Sequence, residues 1–187
     1  RNEGGMIEPT VSVIIVSRGR PDSLRRCLTA ASQLIYRLFE VVSVVDPAAA
    51  AAVRGMPFAD QIKIVEFDEA NISLARNEGL AHAAGEIVAF LDDDAVPEPG
   101  WLYHLVQAFA DPDVAAAGGY VRGRNGISFQ SKGQAVDEFG YTTVLPLSSD
   151  DIEVFSGRPG MAIKTQGTNC AFRRDIFSEI GGFDPAY

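Results

Sequence analysis

The chain has 187 residues, 47% of them apolar, which suits one α/β domain with a sizeable buried core. Its formal net charge of −9 argues against a nucleic-acid backbone as partner. An anionic small ligand would need local compensation from a metal ion or an arginine. No apolar run approaches the roughly 20 residues of a membrane span. The N-terminus has no basic-then-apolar signal pattern. Cys27 and Cys170 lie far apart in apolar contexts, which predicts buried free thiols rather than a disulfide. The chain begins at Arg1 without Met and stops at Tyr187, so the native protein is expected to be longer at both ends.

Val11 to Val16 (VSVIIV) is a continuous apolar run, the pattern of a buried parallel strand. Arg18-Gly19-Arg20 breaks it, and Pro21 suits the first turn of a helix. Leu24, Cys27, Leu28, Ala31 and Ile35 recur at helical spacing, predicting a helix over 21–35. Glu40 to Val45 reads as a second buried strand ending at Asp46-Pro47, followed by a short alanine-rich helix over 48–53. Gln61 to Phe67 alternates and reads as a third strand. Ser73 to Ala83 is helical, with Gly85 placed to cap its end. Glu86 to Leu91 is a fourth strand. Trp101, Leu102, Leu105, Val106 and Phe109 give the stripe of a further helix, and Val114 to Val121 reads as another strand. From Arg122 to about Lys164 the pattern is poor, which predicts long loops with short strands. Order returns at Gly167 to Arg173, and a short helix carrying Ile176, Phe177 and Ile180 stops at Gly181-Gly182.

The alternation argues for a mostly parallel sheet with helices on both faces. Such sheets bind ligands beyond the carboxyl ends of their strands. Three strand ends carry polar residues that would lie on one edge: Ser17-Arg18-Gly19, Asp46 and Asp92-Asp93-Asp94. In an extended segment Asp92 and Asp94 share a face and Asp93 turns away. Two carboxylates converging on one spot raise each other's pKa unless a cation lies between them. Mg²⁺ or Mn²⁺ would resolve the repulsion, with a phosphate ester completing the shell. The plainer alternative is an acidic loop in water that caps the next helix.

Four blocks stand in order: VSVIIVSRGRPDSLRRCL, VVSVVD, NISLARNEGLAHAAGEIVAFLDDDAVPEPGWL and GTNCAFRRDIFSEIGGFD. Together they resemble the family-2 glycosyltransferases of GT-A fold over almost the whole chain. The resemblance implies a single domain over 1–187, incomplete at its C-terminus, with a nucleotide-binding part over 11–121 and an acceptor and donor-sugar part over 122–187. It implies transfer of a sugar from a nucleotide-diphosphate donor to a hydroxyl of a glycan, lipid or small-molecule acceptor, with inversion and with Mg²⁺ or Mn²⁺ at a D-x-D motif. It also implies a cytoplasmic protein, or a peripheral one at the inner face of a membrane.

Position by position, Asp46 matches the residue that reads the nucleotide base, with a helix cap as the alternative. Ser17, Arg18 and Gly19 match the loop touching the nucleoside, although the family usually has Thr-Tyr-Asn there. Pro47 replaces the family's second acidic residue after Asp46. Arg76 matches an arginine near the nucleotide, with a surface salt bridge as the alternative. Asp92 matches the ribose and diphosphate side of the motif and also a metal ligand, Asp94 the main metal ligand, and Asp93 a residue behind them. Gly167, Thr168 and Asn169 match the lining of the donor-sugar pocket, with an ordinary turn into a strand as the alternative. Trp101 is read as core rather than as a sugar-stacking platform, and His82 and His104 as structural. The general base expected after the Gly181-Gly182-Phe183-Asp184 block is not identified, and Asp184 is assigned to a turn. Two other functions remain open: a non-catalytic nucleotide-sugar binding module, and a sugar-phosphate nucleotidyltransferase, which should carry a glycine-rich basic loop after its first strand. A phosphorelay receiver is disfavoured, because its acidic residues would stand on separate strands.

Overall fold

The computed structural model describes residues 8–130, 133–145 and 155–187. Residues 1–7, where the N-terminal signal was sought, lie outside the described residues, as do 131–132 and 146–154 of the irregular stretch. The strands are β1 (Val11–Ser17), β2 (Phe39–Val45), β3 (Ile62–Glu66), β4 (Ile87–Asp92), β5 (Ala116–Gly118), β6 (Gln134–Asp137), β7 (Thr142–Val144), β8 (Met161–Lys164) and β9 (Cys170–Arg173). The helices are α1 (Pro21–Ala31), α2 (Pro47–Arg54), α3 (Ile72–His82), α4 (Trp101–Gln107) and α5 (Ile176–Ile180).

The main sheet has the order β3-β2-β1-β4-β9-β5. β3, β2, β1 and β4 run parallel, and β9 lies antiparallel between β4 and β5. A separate antiparallel sheet, β7-β6-β8, forms within the stretch read as irregular. Side-chain alternation along β1 sorts the core into two layers. Val13 and Ile15 pack with Leu24 and Leu28 of α1, Val53 of α2 and Leu102 of α4. Ile14 packs on the other face with Val42, Val44, Phe90, Ala75 of α3 and the half-buried Phe177 of α5. This is the expected mostly parallel sheet with helices on both faces. Both cysteines are buried and free, and burial pushes the Cys27 thiol up to about 12.

Three local expectations are corrected. The first helix ends at Ala31, not Ile35: Ile35 is 65% exposed, and Leu34 and Tyr36 are the buried residues beyond the helix end. Gly85 does not cap α3, which ends at Ala83 in extended conformation. A Cβ on Gly85 would come within 2.5 Å of the Ser12 nitrogen, so glycine is needed for close approach of two backbones. The strand expected over 114–121 shrinks to Ala116–Gly118. Its partner β9 has only four residues, and the Arg173 guanidinium takes the carbonyls of Val114, Phe109 and Asp111.

At the end of the sheet away from the strand carboxyl termini, Glu40 gathers three chain segments. Its Oε1 accepts from Ser12 Oγ at 2.6 Å and from the Ala84 N–H at 2.7 Å. Lys63 Nζ lies 3.2 Å from Oε2. Burial opposes ionisation, but the bonds from Ser12, Ala84 and Lys63 outweigh it and hold the Glu40 carboxyl below its ordinary 4.5. A depressed carboxyl stabilises the fold above its unfolded pKa, and that stability is lost as pH falls through the folded value. Glu40→Ala should therefore cost about 1–3 kcal/mol in urea unfolding at pH 7. Glu40→Gln should cost less and should flatten the fall in stability below pH 4.5; an unchanged acid limb would show that Glu40 does not set it.

Candidate functional site

The carboxyl ends of β2, β1 and β4 lie side by side, because Ser17 pairs with Val45 and Val16 pairs with Asp92. Strand order reverses between β1 and β4, where open α/β sheets form their ligand crevice. A cleft at this point is lined by Val16, Arg20, Arg76, Phe90, Asp92 and Asp93, among others. A second, open cleft of about 410 Å³ is lined by Arg18, Gly19, Asp46, Pro47, Ala48 and Asp68.

Asp93 is 1% exposed, and its Oδ2 accepts from Ser17 Oγ at 2.6 Å. Its Oδ1 lies 2.7 Å from Arg20 Nη2, a charge contact without hydrogen-bond alignment. Burial pushes the Asp93 carboxyl up, against the pull of Ser17 and Arg20. Asp92 and Asp94 are 43% and 48% exposed, Asp92 beside Arg76 and Asp94 beside Arg20. The extended segment expected over the triplet stops at Asp92, and Asp93 and Asp94 stand in the turn that follows. Ser17, matched to the loop touching the nucleoside, thus makes a buried bond to Asp93, the residue matched to a place behind the other two aspartates. Arg20 Nη1 reaches Asp94 Oδ2 at 3.2 Å. The sequence reading treated Arg20 only as part of a strand-breaking loop. The signal for it is a cation just after β1, beside a neighbouring strand that ends in three acids.

Asp46 serves two segments. Oδ1 accepts from Ala49 N–H at 2.9 Å and caps α2, and Oδ2 accepts from Gly19 N–H at 2.6 Å. The Ala49 and Gly19 N–H groups outweigh burial and hold its carboxyl below the usual aspartate range. Each carboxylate oxygen keeps a second lone pair, so capping leaves room for a further donor. Arg18 pairs with Asp68 at 2.7 Å, and both side chains are exposed.

Arg76 is largely covered rather than a surface ion pair. Its guanidinium lies over the rings of Phe90 and Phe183, 5.6 and 5.4 Å from their centroids. One nitrogen donates to the Gly167 carbonyl at 3.4 Å and stands 3.8 Å from Asp92 Oδ1. A Cβ on Gly167 would sit 3.0 Å from that nitrogen, so the turn approaches the arginine closely. Asn169 faces elsewhere. Its Oδ1 accepts from Trp101 Nε1 at 2.8 Å, and its Nδ2 donates to the Tyr120 carbonyl at 3.1 Å. Thr168 is half-buried beside it. Trp101 packs partly against the core. Asp184 Oδ1 accepts from the Ala186 N–H, bracing a turn.

The implied cation can be tested against these residues. Among the described residues no group of three His, Cys, Asp or Glu could hold a metal ion. Two exposed carboxylates fit Mg²⁺ or Mn²⁺, which take one or two protein carboxylates and complete the shell with water and phosphate.

A mostly parallel sheet with an acid-lined crevice at its switch point is the GT-A arrangement. The chain belongs to glycosyl transferase family 2, whose family model matches residues 12–181. It is 33% identical over 114 residues to a glucosyl-dolichyl phosphate glucuronosyltransferase of Haloferax volcanii, covering 60% of this chain and 34% of that protein. It is 29% identical over 182 residues to the glycosyltransferase AglE of the same organism, covering 94% of this chain and 56% of that protein. Among solved structures, the mannosyltransferase PcManGT of Pyrobaculum calidifontis, in complex with GDP-Man and Mn²⁺, superposes with a TM-score of 0.70 at 23% identity, covering 96% of this chain and 49% of that one. TarS of S. aureus in complex with UDP-GlcNAc superposes with a TM-score of 0.65 at 17% identity, covering 94% and 48%. The chain thus spans between about a third and just over half of the length of these proteins.

The double role of Asp46 gives a direct expectation. Asp46→Ala removes both the cap and the Gly19 acceptor and should lower stability by about 1–2 kcal/mol in denaturant titration. Asp46→Asn keeps one accepting oxygen for the cap but turns its NH2 toward the Gly19 N–H, so it should lose less than Asp46→Ala while still falling below wild type. Equal losses in the two would mean that the charge, not the cap, carries the contribution.

Proposed function

We propose that this chain is the donor-binding part of a divalent-metal-dependent glycosyltransferase that moves a sugar from a nucleoside diphosphate to an acceptor hydroxyl with inversion. The observation that carries this reading is the arrangement of the triplet: Asp93 is buried on Ser17, while Asp92 and Asp94 present exposed carboxylates at the switch point. Asp94 and Asp92 would hold Mg²⁺ or Mn²⁺ together with the donor's diphosphate. When bound, the cation supplies Lewis-acid neutralisation of the departing diphosphate.

This chain's own residues do the rest by positioning. Asp46 keeps a lone pair for a base N–H beside the Arg18–Asp68 cleft. Arg76, lying over the Phe90 and Phe183 rings, sets a positive charge beside Asp92 and the Gly167 turn. Gly167 and Thr168 border the place for the donor sugar, and Asn169 holds that turn against Trp101. The β7-β6-β8 sheet belongs to the stretch 122–187 assigned to the acceptor, a glycan, lipid or small molecule, and to the donor sugar. Among the described residues no helix is long and apolar enough to cross a membrane.

The test is calorimetry with UDP and GDP, with Mn²⁺ and then with EDTA. Binding of one of them should weaken strongly without the metal, and Asp94→Asn should reproduce the EDTA result in the presence of Mn²⁺. Equal affinity in EDTA would overturn the metal bridge. Asp46→Asn, with the cap retained, should weaken nucleotide binding on the order of 1.5–3 kcal/mol if its charge holds the base.

A further inference from the structure

Arg20 stands where no sequence pattern assigned a function. It follows β1 at the start of α1, yet its side chain makes no capping bond to that helix. Its guanidinium instead bridges two carboxylates, 2.7 Å from Asp93 Oδ1 and 3.2 Å from Asp94 Oδ2. The two partners differ in kind. Asp93 is buried and fixed by Ser17. Asp94 is half-exposed, and among the described residues Arg20 is the cation on it. The other cation of the crevice, Arg76, is held by Phe90, Phe183 and Gly167 and stands beside Asp92.

We propose that Arg20 is a positioning residue, the resident counter-ion of the aspartate triplet, and that it couples metal loading to donor binding. The inference rests on the metal reading of Asp94 given above. A divalent ion entering alone competes with Arg20 for Asp94 and gains less than it would from a free carboxylate. An ion entering with a nucleoside diphosphate brings an anion that can accept Arg20 in place of Asp94. The guanidinium keeps its contact to the immobile Asp93 while it exchanges the other. Ion and nucleotide therefore favour each other's binding, and the coupling is reciprocal.

The experiment measures Mn²⁺ affinity by electron paramagnetic resonance of the free ion, without nucleotide and with saturating UDP or GDP. Wild type, Arg20→Gln, Arg20→Lys and Asp94→Asn are compared, each first checked by thermal unfolding. Without nucleotide, Arg20→Gln should bind Mn²⁺ about fivefold more tightly than wild type, the scale of a half-exposed ion pair. Nucleotide should then raise Mn²⁺ affinity less in Arg20→Gln than in wild type. A purely structural role would weaken Mn²⁺ binding in both conditions; that result, or unchanged nucleotide-free affinity, overturns the proposal. Should Arg20→Gln not fold, Arg20→Lys decides, because an ammonium reaches one carboxylate and not both. It should also bind Mn²⁺ more tightly without nucleotide, and an equal or weaker affinity overturns the proposal. Absence of Mn²⁺ binding by wild type even with nucleotide would overturn the metal reading itself, and this inference with it. Asp94→Asn, folded but without Mn²⁺ binding, separates that failure from failure of the Arg20 exchange alone.

Discussion

The crevice depends on the buried bond from Ser17 Oγ to Asp93 Oδ2, 2.6 Å long. β1 and β4 are neighbours in the sheet, but beyond their ends the chain leaves for different helices. A carboxylate taken out of water without a partner is costly. Asp93 can therefore be buried only where Ser17 and Arg20, both from the end of β1, supply its donor and its positive charge. That requirement locks the two strand ends together. β4 ends at Asp92 and the chain turns at once, the Ala95 N–H bonding the Asp92 carbonyl, which leaves the Asp92 and Asp94 side chains about half exposed. The triplet is one anchor flanked by two accessible carboxylates.

A second bracket closes the far side. β9 is antiparallel to β4 and begins opposite Phe90, so the turn that precedes it arrives at the carboxyl end of the parallel strands. A parallel strand there would have delivered its opposite end. The Asn169 amide holds this turn from both sides, accepting from Trp101 and donating to the Tyr120 carbonyl. Arg76 reaches across from α3 and lies over the edge-to-face pair of Phe90 and Phe183. A guanidinium against aromatic rings is both packed and charged, so one residue covers the core and sets the charge beside Asp92.

The parallel half was legible because its signals are local. Continuous apolar runs gave the strands, and Pro21 marked the start of α1. Exposed Asp92 and Asp94 beside a buried Asp93 were expected from alternation, but the strand stops at Asp92 and a turn produces the pattern. What was not legible depends on segments distant in the chain. Gly85 resembles a cap by position, but the Ser12 backbone 73 residues away decides its use. β5 reads longer than it is because its length is set by β9. The β7-β6-β8 sheet lacks strong alternation, since much of its surface remains exposed. In the site, the family resemblance pointed to Asn169 as a pocket lining, whereas its amide bonds to Trp101 and Tyr120 need tertiary structure to be seen. Arg20 was passed over because its partners lie more than seventy residues further on.

Under the proposed reading, the charge balance of the crevice would let an acidic protein offer a site to an anionic donor. The chain carries a net charge of −9, yet each arginine at these strand ends has an acidic neighbour: Arg18 with Asp68, Arg20 with Asp93 and Asp94, Arg76 with Asp92. The pairs differ in how readily they exchange. Exposed pairs contribute roughly 0–1 kcal/mol, so Arg18–Asp68 and Arg20–Asp94 can be broken and replaced at little cost. Arg20 is half-exposed, but Asp93 is buried, and leaving a buried carboxylate without its positive charge costs more than breaking an exposed pair, which keeps Arg20 on Asp93. Under the proposed reading, a nucleoside diphosphate and a divalent cation together bring nearly balanced charge, so the rim pairs trade partners without leaving a bare ion. The buried anchor stays fixed during that trade. The site is therefore exchangeable where the ligand enters and rigid where the strands end, and both properties follow from the burial of Asp93 beside two exposed neighbours.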